Sequence, residues 1–568
     1  MKQWISKANV IRLIGVLCSA VLLAASFPPL GESQAAWLGV MPLILVARST
    51  SPGRAFYWGW ASGTLFWLVS MAWLWHLGAT GCSFVMAGLA WLALAICLAL
   101  FRGAFAATTA WAFKVLDAGP RDGEQAPFSR TLPMVLIVPL LWVGFEYLRG
   151  VIGSGLPWNG LGISQYRNLP VLQLAEWGGV PLVSGVIVAA NTGIALMLAR
   201  VSGVYMGARR VRVQLELMVV LLLMAVVWTG GVRRVRALRA TAGSELSPLR
   251  VVAIQPNIPQ LKKWPEAFES EIYGALEERM DLVTALQAEI DLVIWPETAL
   301  PGFLPDDSAV DTFVRQLARE TGTPLLVGAM EIGGRHPGGD PEDESMVMRP
   351  WDWILHNSTF LYAGDGTLVG RYRKQHLVPF GEYLPMDQHW RWVRRLAPLG
   401  FCCTPGKEST VFNVETPVGA TIPFSSLICF EDVFAGVARD MVRNGARLLV
   451  NQTNDGWFDG SAAAVQHMSH CVFRCVENRV PAVRAANTGV TCFIDRTGQI
   501  DETSRGILKR KEWALIDYRS EIVAVPRDDM VPTFYTRFGD WPLAIPAAIV
   551  ALVASLMTWR QSKKDTTL

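Results

Sequence analysis

The run Asp291-Leu-Val-Ile-Trp295-Pro-Glu-Thr298 decides how the polar half of this chain is read. Four apolar residues in a row, stopped by a proline, form the pattern of a short buried strand rather than of an amphipathic helix. A carboxylate, Glu297, stands directly behind the stop. Upstream, Leu249-Arg-Val-Val-Ala-Ile-Gln255 closes in the same way on Pro256, and between the two runs Glu266 to Ile290 carries apolar residues at helical spacing. Downstream, strands are predicted at Pro324 to Gly328, Thr359 to Ala363, Thr421 to Phe430, Leu448 to Thr453 and Val490 to Asp495, with a helix from Ala464 to Arg479. Strands alternating with helices of this length predict a layered α/β domain over residues 245–530. Gly333 to Ser345, rich in Gly, Pro and acids, reads as an exposed insertion loop.

The rest of the chain belongs to a different solvent. Of 568 residues 51% are hydrophobic and only 17% charged, a membrane-protein balance. The apolar residues cluster in runs near both ends. A bilayer-spanning helix needs about 20 mostly apolar residues, and such runs occur near 10–28, 34–48, 56–77, 84–113, 132–149, 180–199, 214–231 and 540–559, about eight spans in all. Residues 1–231 are therefore expected to hold seven transmembrane helices and 540–559 the last, followed by a tail at 560–568. The first run also fits a cleaved signal peptide, but losing it upsets the orientation that the loop charges favour. With the N-terminus inside, Arg48, Arg54, Lys114 to Arg130, Arg200, Arg209, Arg210, Arg212, Arg560, Lys563 and Lys564 all fall on the cytoplasmic side. Both ends are then cytoplasmic and the α/β domain lies opposite; Arg233, Arg234, Arg236 and Arg239 run against the rule there.

A net charge of +3 and no basic stripe interleaved with aromatics exclude a nucleic-acid surface. Trp58, Trp60, Trp67, Trp73 and Trp75, in or beside apolar runs, read as bilayer anchors. Nine cysteines without Cys-x-x-Cys spacing indicate neither zinc nor a disulfide framework. Cys18 and Cys97 read as inert; pairing among Cys402, Cys403, Cys471 and Cys475 is left open.

Three polar residues stand where core packing alone does not place them: Glu297 after its strand, Lys374 in Arg371-Tyr-Arg-Lys-Gln-His-Leu-Val-Pro-Phe-Gly-Glu-Tyr-Leu-Pro385, and Cys429 at the end of the apolar run Ile422 to Ile428. Together they are chemically coherent. A carboxylate takes the thiol proton, the sulfur attacks a carbonyl, and an ammonium stabilises the oxyanion; a nearby cation also favours the thiolate. Taken singly, each is better read blandly: Glu297 as a turn cap, Lys374 as a solvated lysine and Cys429 as a small core residue.

The flanking words add to this. Trp295-Pro-Glu, the segment around Lys374 and Ile428-Cys-Phe-Glu431 resemble the nitrilase, or carbon-nitrogen hydrolase, superfamily. More narrowly, His376 to Pro385, Thr453-Asn-Asp-Gly-Trp-Phe458, Gln466-His467 through Glu477-Asn-Arg, Arg484-Ala-Ala-Asn-Thr-Gly489, Phe27-Pro-Pro and Leu156-Pro-Trp-Asn-Gly to Gln165 are similar to its membrane-bound branch, the apolipoprotein N-acyltransferases. The likeness is strongest from 251 to 496.

That resemblance implies an αββα sandwich joined to a polytopic helical membrane domain. It also implies a ping-pong acyl transfer with Cys429 as nucleophile, Glu297 as general base and Lys374 holding the oxyanion. The implied donor is a membrane phospholipid, and the acceptor is the α-amino group of the diacylglyceryl-cysteine at an apolipoprotein's N-terminus. In support, Glu382 orients the lysine, Glu431 holds the elbow by hydrogen bonding, Trp264 rides a loop that contacts substrate, and Asn357 and Phe430 line the pocket. The family often carries Tyr at the position of Phe430, so no hydroxyl role falls to it here. The implied chemistry needs no metal or cofactor, and a monomer in the bacterial inner membrane with its catalytic domain on the periplasmic side is expected. His389, His467 and His470 have no part in it and read as surface or structural groups. Rival readings are a membrane-tethered amidase or nitrilase using the same trio, and an inactive scaffold with the same fold.

Overall fold

In the computed structural model, residues 6–80, 82–116, 128–205, 215–241, 245–285, 289–335, 353–385, 402–417, 419–458, 460–505, 517–527 and 530–567 are described. The chain forms two compact units, one of residues 1–78, 83–238 and 533–568, the other of 79–82 and 239–532.

The first unit is helical. Its long elements are α1 (Lys7–Ala25), α2 (Pro52–Ser70), α3 (Phe84–Val115), α4 (Met134–Val151), α5 (Ala175–Tyr205), α6 (Leu215–Ala240) and a C-terminal helix, Ala544–Thr567. Six helices among the described residues are long and apolar enough to cross a membrane, against the eight runs expected. The two that fall short do so for identifiable reasons. The 34–48 run is broken into Ala36–Gly39 and Met41–Arg48, and the break is stabilised by the buried Asn191, whose Oδ1 accepts the Val40 and Met41 N–H groups at 2.9 and 2.8 Å. In α2, glycines and hydroxyls lower the hydropathy but permit close packing. A Cβ on Gly59 meets Ala106 Cβ at 2.6 Å and one on Gly63 meets Ala99 Cβ at 3.0 Å, a small-residue seam against α3. Arg200, counted above as a loop cation, is buried and bonded to Glu216 and Thr131.

The second unit contains two sheets. β1 (Leu246–Ile254), β2 (Leu292–Ile294), β3 (Leu325–Arg335), β4 (Trp353–Tyr362), β5 (Leu368–Arg373) and β11 (Tyr518–Pro526) form one, in the order β11-β1-β2-β3-β4-β5. β6 (Phe412–Glu415), β7 (Thr421–Ile428), β8 (Leu448–Thr453), β9 (Ala482–Ala486) and β10 (Cys492–Ile494) form the other, in the order β10-β9-β8-β7-β6. Helices α7 (Glu269–Ala285) and α8 (Ser308–Thr321) pack an apolar core onto the first sheet around Leu276, Val314, Trp295 and Phe360. Helices α9 (Ala435–Arg443) and α10 (Ala463–Asn478) accompany the second. Thr359 of β4 bonds Gln452 of β8 at 2.6 Å and lies 3.2 Å from Ser426 of β7, tying sheet to sheet. This is the expected αββα sandwich.

Several elements lie beyond the predicted set. β5, β6, β9, β11, α8 and α9 have no counterpart in it, and β9 shows why: Ala482-Val-Arg-Ala-Ala486 carries an arginine that is fully buried because two carboxylates receive it. β3 runs through Gly333 to Arg335, so the predicted loop begins as strand, and its remainder lies outside the described residues. Cys403, Cys471 and Cys475 are free thiols, and Cys18 and Cys97 are exposed on their helices rather than buried in a core. His467 and His470 are buried, not at the surface; His389 lies outside the described residues.

Candidate active site

β1, β2 and β3 run parallel, as do β7 and β8, while β4 returns antiparallel so that β5 points the same way as β3. Strand direction therefore delivers Glu297 after β2 and Lys374 after β5 to the same end of their sheet. Gly328 in β3 makes room for the turn bearing Glu297, since a Cβ there meets Pro296 O at 2.3 Å and Glu297 Cα at 2.9 Å.

Lys374 is 1% exposed, a buried ammonium between two carboxylates. Its Nζ donates to Glu382 Oε1 at 2.9 Å and lies 3.4 Å from Glu297 Oε1. Asn357 Nδ2 donates to the same two oxygens, at 2.9 Å to Glu297 and 2.8 Å to Glu382. Glu382 is fixed from its other side, where Oε2 accepts the Val378 N–H at 2.8 Å across the Val-Pro-Phe-Gly-Glu turn. Burial works against the lysine's charge, but Glu382 and Glu297 together hold its pKa well above the ordinary value. It is a permanent cation.

Cys429 stands at the turn out of β7 with a φ of 52°, in the left-handed region that a side chain with a Cβ enters only under restraint. The strand stops at Ile428 and Cys429–Val433 coil into a single 3-10 turn, so the predicted extension to Phe430 does not form. Three groups hold this elbow. The Cys429 carbonyl accepts from Asn451 Nδ2 and His467 Nε2, each at 3.1 Å. Glu431, fully buried, accepts the Ile428 N–H at 2.7 Å on one oxygen, and the Gln375 N–H at 2.6 Å and Tyr372 O–H at 2.8 Å on the other. Burial pushes the Glu431 carboxyl up to about 7, against the pull of those backbone donors and Lys374.

The thiol is not a standing thiolate. Burial first and Glu297 second push its pKa up, and the opposing pull of Lys374 does not overcome them. The nearby cation does favour the thiolate, as expected, but burial and Glu297 outweigh it.

Behind Cys429 lies a charge cluster whose link to the site becomes visible only in the fold. Arg484 reaches Asp432 at 3.1 Å and Asp455 at 2.9 Å, and His467 reaches the same pair at 2.9 and 3.0 Å. Two carboxylates against one guanidinium leave a negative charge for the imidazole to balance. Although burial disfavours its protonation, Asp432 and then Asp455 raise His467 to about 9. Lys263 was also missed. It is buried, donates to the Glu297 carbonyl at 3.1 Å, and is pushed down to about 8 by burial, despite the opposing influence of Glu297 and Cys429. For the cluster the signal lay in His467, Asp455 and Arg484 standing inside family-like words.

Among the supporting residues, Asn357 and Glu382 contact the lysine, and Glu431 contacts the elbow. The Phe430 ring packs edge-on to Phe434 at 5.1 Å. Trp264 is 40% exposed, next to the buried Lys263. Leu261, Trp264, Phe380 and Trp457 are exposed on segments that follow β1, β5 and β8, at the end of the sandwich that carries the trio.

Residues 250–509 match the carbon-nitrogen hydrolase family, and residues 19–193 match the apolipoprotein N-acyltransferase N-terminal domain. Along the whole chain, the apolipoprotein N-acyltransferase of Geobacter metallireducens is 34% identical, covering 95% of both proteins. The chain belongs to the apolipoprotein N-acyltransferase family. Members of that name from Chlorobaculum tepidum, 29% identical over 95% of this chain and 96% of their own, and Gloeobacter violaceus, 28% over 97% and 94%, extend the likeness. Membership in the apolipoprotein N-acyltransferase family makes the chain a membrane acyltransferase, and Glu297, Lys374 and Cys429 all lie inside its carbon-nitrogen hydrolase region.

Proposed function

We propose that this chain transfers an acyl group from a membrane phospholipid to the α-amino group of the lipid-modified N-terminal cysteine of apolipoproteins, through a thioester on Cys429. The observation that carries the reading is the closed network Glu297–Asn357–Glu382–Lys374 beside the restrained Cys429 elbow, in a chain that also matches the acyltransferase membrane domain.

In the first half-reaction Glu297 takes the thiol proton as Cys429 Sγ attacks the ester carbonyl. The oxyanion forms beside Lys374 Nζ, which is charged at every physiological pH and offers a short-range donor in a water-poor site. Collapse breaks the ester C–O bond, and the proton held by Glu297 goes to the departing lysophospholipid alkoxide. In the second half the acceptor amine attacks the thioester, Glu297 removes its proton, and the C–S bond breaks to return the thiol and the amide product. Asn357 and Glu382 keep the ammonium and the base in register. The exposed apolar residues Leu261, Trp264, Phe380 and Trp457 suit a substrate with acyl chains. The enzyme acts as a monomer in the cytoplasmic membrane, both termini inside and residues 245–530 on the outer face, the side opposite the basic loops.

Intact mass spectrometry of the detergent-purified protein incubated with a defined phospholipid, beside Cys429→Ala and Cys429→Ser, tests the reading. A hydroxylamine-sensitive gain of one acyl chain is expected in the wild type, absent from the Ala form and passed on to an added lipopeptide amine. A folded wild type that gains no acyl mass from any phospholipid overturns the donor and thioester assignments. Acyl loss to water at the same rate with and without the amine favours the amidase reading instead.

A further inference from the structure

The helical unit contains a small, partly open cavity whose walls include Phe66, Trp67, Arg102, Trp142, Glu146 and Arg149. Two guanidiniums in a membrane unit call for explanation, because an ionised group removed from water needs a partner of opposite charge. Arg102, within α3, is 9% exposed, and Arg149, in the last turn of α4, is 6% exposed. Both stack on aromatic faces, Arg102 over Phe66 at 4.3 Å and Trp142 at 5.6 Å, Arg149 over Trp67 at 4.8 Å. Arg149 also donates to the Trp158 carbonyl at 2.6 Å. Among the described residues Arg102 has no hydrogen-bond or ion-pair partner, and its Nη1 is buried without one.

The one carboxylate in the cavity wall does not supply the missing anion. Glu146 Oε1 accepts the Trp142 indole N–H at 3.0 Å and the Leu161 backbone N–H at 2.6 Å, and it is not within ion-pair distance of either arginine. Two positive charges and one negative leave the cavity one negative charge short. The position of Arg149 at a helix end, with Asn159 and Leu161 of the following loop also in the wall, sets the cavity where a helix leaves the bilayer, the level of lipid headgroups. Its remaining surface is aromatic and aliphatic.

We propose that this cavity binds the phosphodiester of a membrane phospholipid, with Arg102 and Arg149 as its guanidinium pair and the aromatic walls against its glycerol and first acyl methylenes. A planar guanidinium fork matches phosphate oxygens, and a phosphodiester carries the single negative charge the cavity lacks. The assignment does not rest on the thioester chemistry of Cys429.

The test uses the full-length protein, delipidated in a neutral maltoside, on a Cys429→Ala background so that turnover is removed. Its thermal midpoint is followed against short-chain phosphatidylglycerol, phosphatidylethanolamine, the matching diacylglycerol, a fatty acid and inorganic phosphate. The two phospholipids are expected to raise the midpoint saturably, with diacylglycerol, fatty acid and inorganic phosphate ineffective, and Arg102→Gln is expected to weaken the phospholipid response at least tenfold. Arg149→Gln provides the same comparison if the first variant does not fold, folding being checked by gel filtration and circular dichroism. An equal response to diacylglycerol or fatty acid, or an undiminished response in either folded variant, overturns the proposal. A response to inorganic phosphate equal to that of the lipids overturns its lipid part.

Discussion

His467 Nε2 lies 3.1 Å from the carbonyl oxygen of Cys429, so the proposed nucleophile's own backbone is held by a group thirty-eight residues further along the chain. Replacing His467 with Gln removes the charge-assisted hydrogen bonds to the Cys429 carbonyl, Asp432 and Asp455, each worth about 1.5–3 kcal/mol, and relaxes the φ of 52°. The expected result is a kcat lowered roughly tenfold to a hundredfold with KM little changed, because His467 acts on the elbow rather than on substrate.

The same residue predicts a pH dependence of stability. Folding raises its imidazole from 6.5 to about 9. The folded state therefore holds the extra proton; the stabilisation is complete below pH 6.5 and is lost as pH rises through about 9. The thermal midpoint of the wild type minus that of His467→Gln should shrink across this window. Lys263, lowered from 10.5 to about 8, has the opposite sign but is common to both proteins and cancels in the difference.

Lys374→Met leaves Glu297 and Glu382 facing each other without their cation. A loss of about 3–5 kcal/mol is expected from breaking a buried ion pair on one side, read as a lowered unfolding midpoint. Acyl transfer should fall by a factor of about 10² to 10³ with the oxyanion donor gone. Adding Glu382→Gln should restore part of the stability and none of the activity, since it removes the repulsion without returning a donor.

Glu431→Gln gives up one of the two acceptor oxygens that Ile428, Gln375 and Tyr372 share. An amide has a single acceptor oxygen, so at least one buried N–H loses its partner, at about 1–3 kcal/mol. Thermal unfolding should show that loss, and the acylation rate measured by intact mass should fall with it.

Gly328→Ala adds a methyl group 2.3 Å from the Pro296 carbonyl and 2.9 Å from Glu297 Cα. Overpacking of this kind costs about 1–3 kcal/mol. The larger effect is expected on activity, because relief of the clash moves the turn that carries Glu297; near-normal transfer by a destabilised variant would show that the base position tolerates the shift.

Much of the molecule was open to reading along the chain. Buried strands such as Leu292–Ile294 and Leu448–Thr453 announce themselves as apolar runs with hard stops, and α1, α3 and α4 as apolar stretches of bilayer length. Glu297, Lys374 and Cys429 stood out because each breaks its surroundings at a strand end. The strands that went unread, β5, β6, β9 and β11, are those whose residues are polar, short or at an edge. Arg484 in β9 reads as solvent-facing until its partners are in view.

The sequence by itself thus determined the two solvents and the layered α/β plan, because hydrophobic period and proline stops are local properties, while the trio was singled out by the family-like words around it. Only the tertiary structure decided which polar residues are buried together. Asn357, Glu382 and Lys374 meet across segments from different strands and turns. His467 and Arg484 close on Asp432 and Asp455 behind the elbow. Arg102 and Arg149 line one cavity from two separate helices. The reason is physical: a charge enters a protein interior only where another charge or dipole compensates it, and those compensating groups are brought together by folding rather than by proximity in the chain.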